Sequence, residues 1–478
     1  PDEDAYVLSR YARSVLGTDD VDFRTRRAGP DEDDALATAA SRVGARYDDV
    51  EAAPLVLLVG LDPEEEVPIL YLRLRKAWLK RGTKLVSLGP RAGTISELLW
   101  RWLPSAVGGE AAALRSLTDG GDGEVGDVAA ALRDAGPGAV ILVGERAAAS
   151  PGALATAGRL AASTGAKLSW VPRRNNARGA LSAGLLPGLL PGGRRLHDSG
   201  ERAEVEQLWG AVPESRGRRL HAILEAAANG DVDVLHLVGV DLARDCDLPR
   251  LARAALERVP TVIVQDLLDT ETVRYADVVL PAAAAQERAG TFTNWEGRRQ
   301  RFGLAVDAPR LAQEDWDILS QLAARLGHDL GYASLDDIRR EMAALPPVAE
   351  RDWPESGPTG APGTESGDGD GLQLLSYPLL LDRGVLSIGA DDMLSTAKAP
   401  FAALHPDDAA RLGIADAQPV LVASESGRLE VTAVVDEHQV PGVVFVPSNS
   451  TDAPAATLAA GDGGPVRVSV ESAPGAAR

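Results

Sequence analysis

Cysteine is almost missing from this 478-residue sequence, with Cys246 standing alone. A single thiol excludes an internal disulfide and an iron-sulfur centre held by thiolates of this chain, and it points to a reducing, cytoplasmic compartment. Asp245 and Asp247 flank it with charges that raise a thiol pKa, so an inert cysteine is expected. Histidine is scarce too. His197, His221, His236, His328, His405 and His438 show no paired zinc spacing, and each alone suits packing or a surface. No apolar stretch approaches the roughly 20 residues that cross a bilayer, so no direct membrane insertion is expected. A signal-like N-terminus and a GxSxG nucleophile elbow are both missing, and no acid–base pair stands out; no catalytic residue and no metal ligand is assigned. Positive charge is in deficit, with 49 Lys and Arg against 70 Asp and Glu and a net charge of -21. Acidic runs at residues 31–34 and 62–66 would repel phosphate backbones and anionic lipid headgroups, which excludes nucleic acid as a partner.

What is present is enough hydrophobic material, 45%, for real cores, and enough length for about three domains. Heavy use of Ala, Gly and Arg reads as a GC-rich coding bias. Short apolar runs at residues 55–60, 84–88, 139–144, 234–239 and 261–265 alternate with helical patterns such as 67–81, as expected of a parallel sheet buried on both faces. Three runs end alike, in Val59-Gly60, Val143-Gly144 and Val238-Gly239. A helix is expected over 4–16. Residues 352–371 concentrate Gly, Pro, Ser and acids, which is linker composition. Beyond it, β-rich pieces at 385–386, 420–423, 429–435 and 443–446 with one short helix at 406–412 suit a compact β-barrel. The expected domains are 1–44, an N-terminal segment; 45–200, a first α/β domain; 201–351, a second; the linker 352–371; and 372–478, the barrel-like domain.

Residues 116–127 contain a literal GxGxxG at Gly121, Gly123 and Gly126. No strand precedes it and Asp122 and Glu124 would repel a pyrophosphate, so it is rejected as a dinucleotide fingerprint and read as a mobile glycine-rich loop. GPRAG at residues 89–93 follows a strand; Arg91 there could hold a phosphate, and a structural turn is the alternative favoured here.

The densest chemistry lies in residues 269–300, DTETVRYADVVLPAAAAQERAGTFTNWEGRRQ. Ala276 to Leu280 reads as a buried strand closed by Pro281. The loop beyond it begins at Glu287. Gly290 and Gly297 free its backbone, and Thr291, Thr293, Asn294, Glu296 and Arg298 converge donors and acceptors, in the place where open α/β sheets bind ligands. Such a loop holds a polar ligand or locks itself, and residue types alone leave both open. Arg298, Arg299 and Arg301 add a basic cluster.

The order of these residues closely resembles the signature of the molybdopterin oxidoreductase family, in particular its branch of large iron-sulfur subunits of bacterial NADH-quinone oxidoreductases. Residues 54–80 (PLVLLVGLDPEEEVPILYLRLRKAWLK), 175–194 (NNARGALSAGLLPGLLPGGR) and 405–413 (HPDDAARLG) are similar to other segments of that branch in the same order. The resemblance implies an α/β fold of molybdopterin-oxidoreductase-like parallel-sheet domains, followed by a small β-rich domain like the family's double-psi barrel. It makes Gly290, Thr291, Asn294, Glu296, Gly297 and Arg298 a degenerate molybdopterin-site motif. Active relatives carry an acid where Gly89 stands.

In those enzymes a Cys, selenocysteine, Ser or Asp ligand to molybdenum or tungsten follows a segment similar to residues 18–24, TDDVDFR. Here Arg26, Arg27 and Ala28 follow, which supply no soft or anionic ligand, and residues 31–34 read as a solvated acidic loop. The favoured expectation is therefore a non-catalytic portion of the peripheral-arm subunit. It binds no molybdopterin, its iron-sulfur clusters lie in an upstream region before Pro1, its partners are the other hydrophilic subunits of the complex, and it sits on the cytoplasmic face of the membrane. The alternatives are the cofactor-enclosing part of an active, formate dehydrogenase-like enzyme, and a stand-alone anion- or nucleotide-binding module.

Overall fold

The computed structural model describes residues 1–42, 44–309, 311–355, 371–450, 454–459 and 465–473. Residues 356–370 of the expected linker lie outside the described residues. The chain divides into two compact units: one gathers Pro1–Gly44, Arg174–Cys246 and Leu251–Pro354, the other Ala45–Arg173, Asp247–Arg250 and Glu355–Arg478.

The unit that contains Ala45–Arg173 holds a five-stranded, all-parallel sheet of β1 (Leu55–Val59), β2 (Lys84–Gly89), β3 (Leu99–Pro104), β4 (Val140–Gly144) and β5 (Lys167–Val171), in the order β3-β2-β1-β4-β5. Every residue of β1 and β4 is buried, which is why their sequences are unbroken apolar runs. The two strand ends that look alike in sequence differ in cause. Gly60 is left-handed, at φ +55, whereas Gly144 is there because a Cβ would lie 2.5 Å from the Gly60 carbonyl oxygen. Helix Pro68–Arg81 starts on proline, stops at left-handed Gly82 and buries Leu70, Leu74 and Ala77. The expected mobile loop at 116–127 is instead the junction of two helices, Glu110–Asp119 and Gly123–Ala135. Left-handed Gly120 ends the first, and buried Leu114, Leu117, Val128 and Leu132 hold both, so the glycines punctuate helices and do not make a loop.

In the other unit β6 (Val234–Val238), β7 (Thr261–Asp266) and β8 (Val278–Pro281) form a parallel sheet ordered β8-β7-β6. The expectation of burial on both faces fails here. Val278 and Val279 are 42% and 48% exposed; among the described residues β8 is an edge strand whose ladder runs along β7. A hairpin follows, β9 (Gly290–Thr293) with β10 (Arg299–Phe302). The N-terminal helix Asp2–Arg10 runs on into a π-helical turn at Tyr11–Val15, and its Tyr6 and Val7 join Trp209, Leu319 and Ile338 in the core. The acidic run at 31–34 opens helix Pro30–Ala40 and is no solvated loop. Glu32 and Asp33 are buried, Asp33 taking Arg24, Arg216 and Arg219 and Glu32 taking Arg24 and Arg26.

The unit of the five-stranded sheet also carries the C-terminal strands. These are β11 (Leu372–Leu375), β12 (Phe401–Leu404), β13 (Pro419–Ala423), β14 (Arg428–Val435), β15 (Val443–Phe445) and β16 (Arg467–Ser472), and they close into a barrel in the order β11-β15-β12-β14-β13-β16. Strict alternation puts Leu429, Val431 and Ala433 of β14 inside. Residues 385–386 are a helical turn, Val385–Ser387, and not a strand.

Candidate functional site

The signature segment folds around the acids of the N-terminal helix. Glu3 takes both the backbone N–H (2.8 Å) and the Oγ1 hydroxyl (2.7 Å) of Thr291, and Arg339 donates Nε to the same carboxylate at 2.7 Å. Asp2 takes the Thr293 hydroxyl at 2.7 Å and Arg299 Nε at 3.2 Å, while the Thr293 N–H goes to Asn176 Oδ1 at 2.8 Å. Asn176 is left-handed, at φ 59. Asp4 takes Arg288 Nη1 at 2.6 Å, and Arg288 also pairs with Asp315, which accepts Gln265 Nε2 at 2.7 Å.

Burial governs the electrostatics. It raises the Asp2 carboxyl against the pull of Thr293 and Arg299. Burial, and then the Asp315 carboxylate, push Asp4 up to about 7. At Glu3 burial also pushes upward, but the bonds from Thr291 and Arg339 outweigh it and hold the carboxyl below its ordinary value.

The six expected residues are brought together on one hairpin and face different ways. Gly290 has no room for a side chain, since a Cβ would lie 2.7 Å from Pro1 Cβ and 3.0 Å from Phe302 Cζ. Thr291 is buried against Glu3. Asn294, Glu296, Gly297 and Arg298 build the turn. Asn294 Oδ1 accepts the Arg298 N–H at 2.9 Å, Glu296 accepts Arg298 Nε at 2.6 Å, and Gly297 is left-handed at φ 78. Phe292 and Phe302 stack at 4.6 Å across the hairpin. Sequence reasoning missed Asp2, Glu3, Asp4, Arg288, Asp315 and Arg339. Acids in a first helical turn ordinarily just complement the helix dipole, and only their place directly before an apolar helix face hinted at burial.

The segment TDDVDFR is equally engaged. Asp19 accepts Arg13 Nε at 2.8 Å and the N–H groups of Gly188 (2.6 Å) and Gly217 (2.8 Å). Arg24 binds Asp22 and Asp33, and beyond it Arg27 Nη2 lies 3.0 Å from His221 Nε2. No group of three or more His, Cys, Asp or Glu able to hold a metal ion occurs among the described residues. Cys246 is buried.

A second polar cluster caps the carboxyl ends of β1, β2 and β4 in the barrel-bearing unit. Arg91, of the GPRAG turn after β2, donates Nε (3.2 Å) and Nη2 (3.1 Å) to Asp436 and Nη1 (2.9 Å) to the Tyr377 hydroxyl, and lies 4.7 Å over the Phe445 ring. Tyr377 donates in turn to Asp62 at 3.2 Å, which also takes the Thr94 hydroxyl at 2.7 Å. Arg146, after β4, pairs with Glu66 at 3.2 Å and stacks 4.0 Å over Tyr377. Burial opposes the charge of both guanidinium groups, but the oxygens of Tyr377 and Asp436 at Arg91, and of Glu66 and Tyr377 at Arg146, outweigh it and raise both. Burial likewise raises the Tyr377 phenol and Glu66. The site that sequence offered to a phosphate is filled by protein carboxylate and phenol, and the acidic run 62–66 faces inward.

Comparison with known proteins agrees with this architecture. Residues 3–325 match the family described as molybdopterin oxidoreductase, and residues 387–472 match the molydopterin dinucleotide binding domain. The G subunit of the NADH-quinone oxidoreductase of Mycobacterium bovis is 40% identical over 457 residues, 94% of this chain and 55% of that protein. The protein of the same name from Streptomyces coelicolor is 39% identical over 476 residues, 94% of this chain and 56% of that protein. The chain thus spans little more than half the length of these relatives. The solved structure of acetylene hydratase from Pelobacter acetylenicus superposes with a TM-score of 0.66 over 98% of this chain and 84% of that one, at 15% identity, a likeness of fold. On its match over most of its length, its parallel sheets and its closed C-terminal barrel, this chain belongs to the molybdopterin oxidoreductase family.

Proposed function

We propose that this chain is the non-catalytic, structural portion of the peripheral-arm iron-sulfur subunit of an NADH-quinone oxidoreductase. In that reading it supports NADH-to-quinone electron transfer through clusters in an upstream region, packs against the other hydrophilic subunits, and sits on the cytoplasmic face of the membrane. The names of the Mycobacterium and Streptomyces relatives support the assignment to such a complex. No helix among the described residues is long and apolar enough to cross a membrane.

One observation carries the non-catalytic part: the polar groups of the family's signature hairpin are committed to this chain's own acids. Thr291 and Thr293 hold Glu3 and Asp2, and Glu296 holds Arg298. The residues present do not fit molybdopterin or its metal. Arg26, Arg27 and Ala28 stand where a ligand is needed, and Arg91 gives all three of its nitrogens to Asp436 and Tyr377. Gly290, Thr291, Asn294, Glu296, Gly297 and Arg298 then form an inherited cradle that serves as a clamp on the N-terminal helix.

Metal analysis of the full-length protein, purified from cells supplied with molybdate and tungstate, tests this reading. The expected result is iron without stoichiometric molybdenum or tungsten, together with co-purification of NADH dehydrogenase activity. One molybdenum or tungsten per chain would overturn it.

A further inference from the structure

The helix Pro68–Arg81 carries a face that the described residues leave uncovered. Leu70, Leu74 and Ala77 are buried beneath it, while Ile69, Leu72 and Leu79 are 56%, 55% and 63% exposed. At 100° per residue, Ile69, Leu72, Lys76, Leu79 and Lys80 share an arc of about 100° opposite the buried stripe. The helix contains five cations and no acid, in a chain of net charge -21. Glu51 neutralises part of this, taking Arg73 and Lys76 together. Arg75, Lys80 and Arg81 make no ion pair among the described residues, and the nearby Glu64 and Glu97 act on Tyr71. Ile69, Leu72 and Leu79 thus share one outward arc with Lys76, which Glu51 holds, and with Lys80, which makes no ion pair among the described residues.

We propose that this outward face docks an acidic surface of a partner protein, the aliphatic side chains entering an apolar socket and the cations meeting carboxylates at its rim; this rests on the reading of the chain as part of a larger complex. Charge complementarity favours an acidic protein over the alternatives. A second copy of this chain meeting it in a two-fold contact would present the same basic face. Helices that lie in lipid segregate their apolar side chains from their cations, whereas Lys76 and Lys80 interleave with Ile69, Leu72 and Leu79 in one arc.

The test uses the full-length protein in its assembled complex, with p-benzoylphenylalanine replacing Leu72, irradiation of the intact complex, and mass-spectrometric mapping of the adduct. Expected is a cross-link to another subunit within a segment rich in Asp and Glu, reduced at least about tenfold by Arg75→Glu with Lys80→Glu at low salt. The double variant should keep the thermal midpoint of the parent protein, since both side chains are exposed. A cross-link to lipid, to a second copy, or to a neutral or basic segment overturns the proposal, as does no adduct from a complex that has assembled. A full-length protein that enters no complex at all overturns the reading of the chain as part of one, and this inference falls with it.

Discussion

The Thr293 hydroxyl donates to Oδ2 of Asp2 at 2.7 Å, across 291 residues of sequence. Asp2 is buried and its Oδ1 has no hydrogen-bond partner among the described residues, so the carboxylate depends on Thr293 and on Arg299, itself 57% exposed. Thr293→Val keeps the shape and removes the donor. Urea unfolding should show a loss of about 1 to 3 kcal/mol, most of it restored in Thr293→Ser. A valine variant as stable as the parent would mean that the hairpin does not clamp the helix.

The Arg91 cluster makes a different demand, because its charges are only partly screened. Side chains of Arg91 and Asp436 are 11% and 18% exposed, so breaking the pair should cost less than the roughly 3 to 5 kcal/mol typical of a fully buried one. Arg91→Met is expected to destabilise by about 2 to 3 kcal/mol, because it strands Asp436 and removes a donor to Tyr377. Adding Asp436→Leu should recover part of the loss. A double variant less stable than the sum of the singles, measured in a thermodynamic cycle, would contradict a repulsive or stranded Asp436.

These two clusters show where sequence reasoning reaches and where it stops. β1 and β4 are legible because burial on both faces leaves an unbroken apolar run, and the barrel because β14 alternates. The edge strand β8 reads as buried and is not. Val278 and Val279 carry the same apolar signature, and only the pairing order shows β8 at the edge of the sheet among the described residues. The hairpin residues are legible as a family signature, but the acids they bind lie nearly 300 residues away, and local spacing does not announce such partners. Acidic runs at 31–34 and 62–66 mislead in the same way. A carboxylate looks solvated until its arginine is known, and those arginines, Arg216, Arg219 and Arg146, are remote in sequence.

Glu110 gives a pH dependence with a definite sign. It is 4% exposed at the start of its helix, its Oε2 has no hydrogen-bond partner among the described residues, and burial pushes its carboxyl up from 4.5 to about 7. A carboxyl raised in the folded state holds its proton more tightly there. Its stabilising contribution is complete below the unfolded value and is lost as pH rises through about 7. Between pH 5 and pH 8 the parent should therefore lose about 2 to 3 kcal/mol that Glu110→Gln does not lose. Urea midpoints of the two proteins at both pH values check this. Parallel pH profiles would show that Glu110 is ionised in the folded protein.

Gly144 closes β4 where its strand meets the end of β1. A Cβ there would sit 2.5 Å from the Gly60 carbonyl oxygen and 3.0 Å from Leu61 Cβ, and neither can swing away, since one is backbone and the other is fixed to it. The backbone of Gly144 is itself ordinary, at φ -78, so any penalty comes from crowding and not from a left-handed conformation. Gly144→Ala should therefore destabilise by about 1 to 3 kcal/mol as β1 and β4 are forced apart. Gly82 is the contrasting control: its φ is +69 and no atom of the described residues lies within 4 Å of its Cβ position, so Gly82→Ala carries conformational strain alone. Gly82→Asn should be better tolerated than Gly82→Ala, because asparagine accepts the left-handed region, whereas at Gly144 asparagine should be worse than alanine. That reversal in rank, read from thermal midpoints of the four variants, separates the two causes; the same order at both positions would refute the crowding account of Gly144.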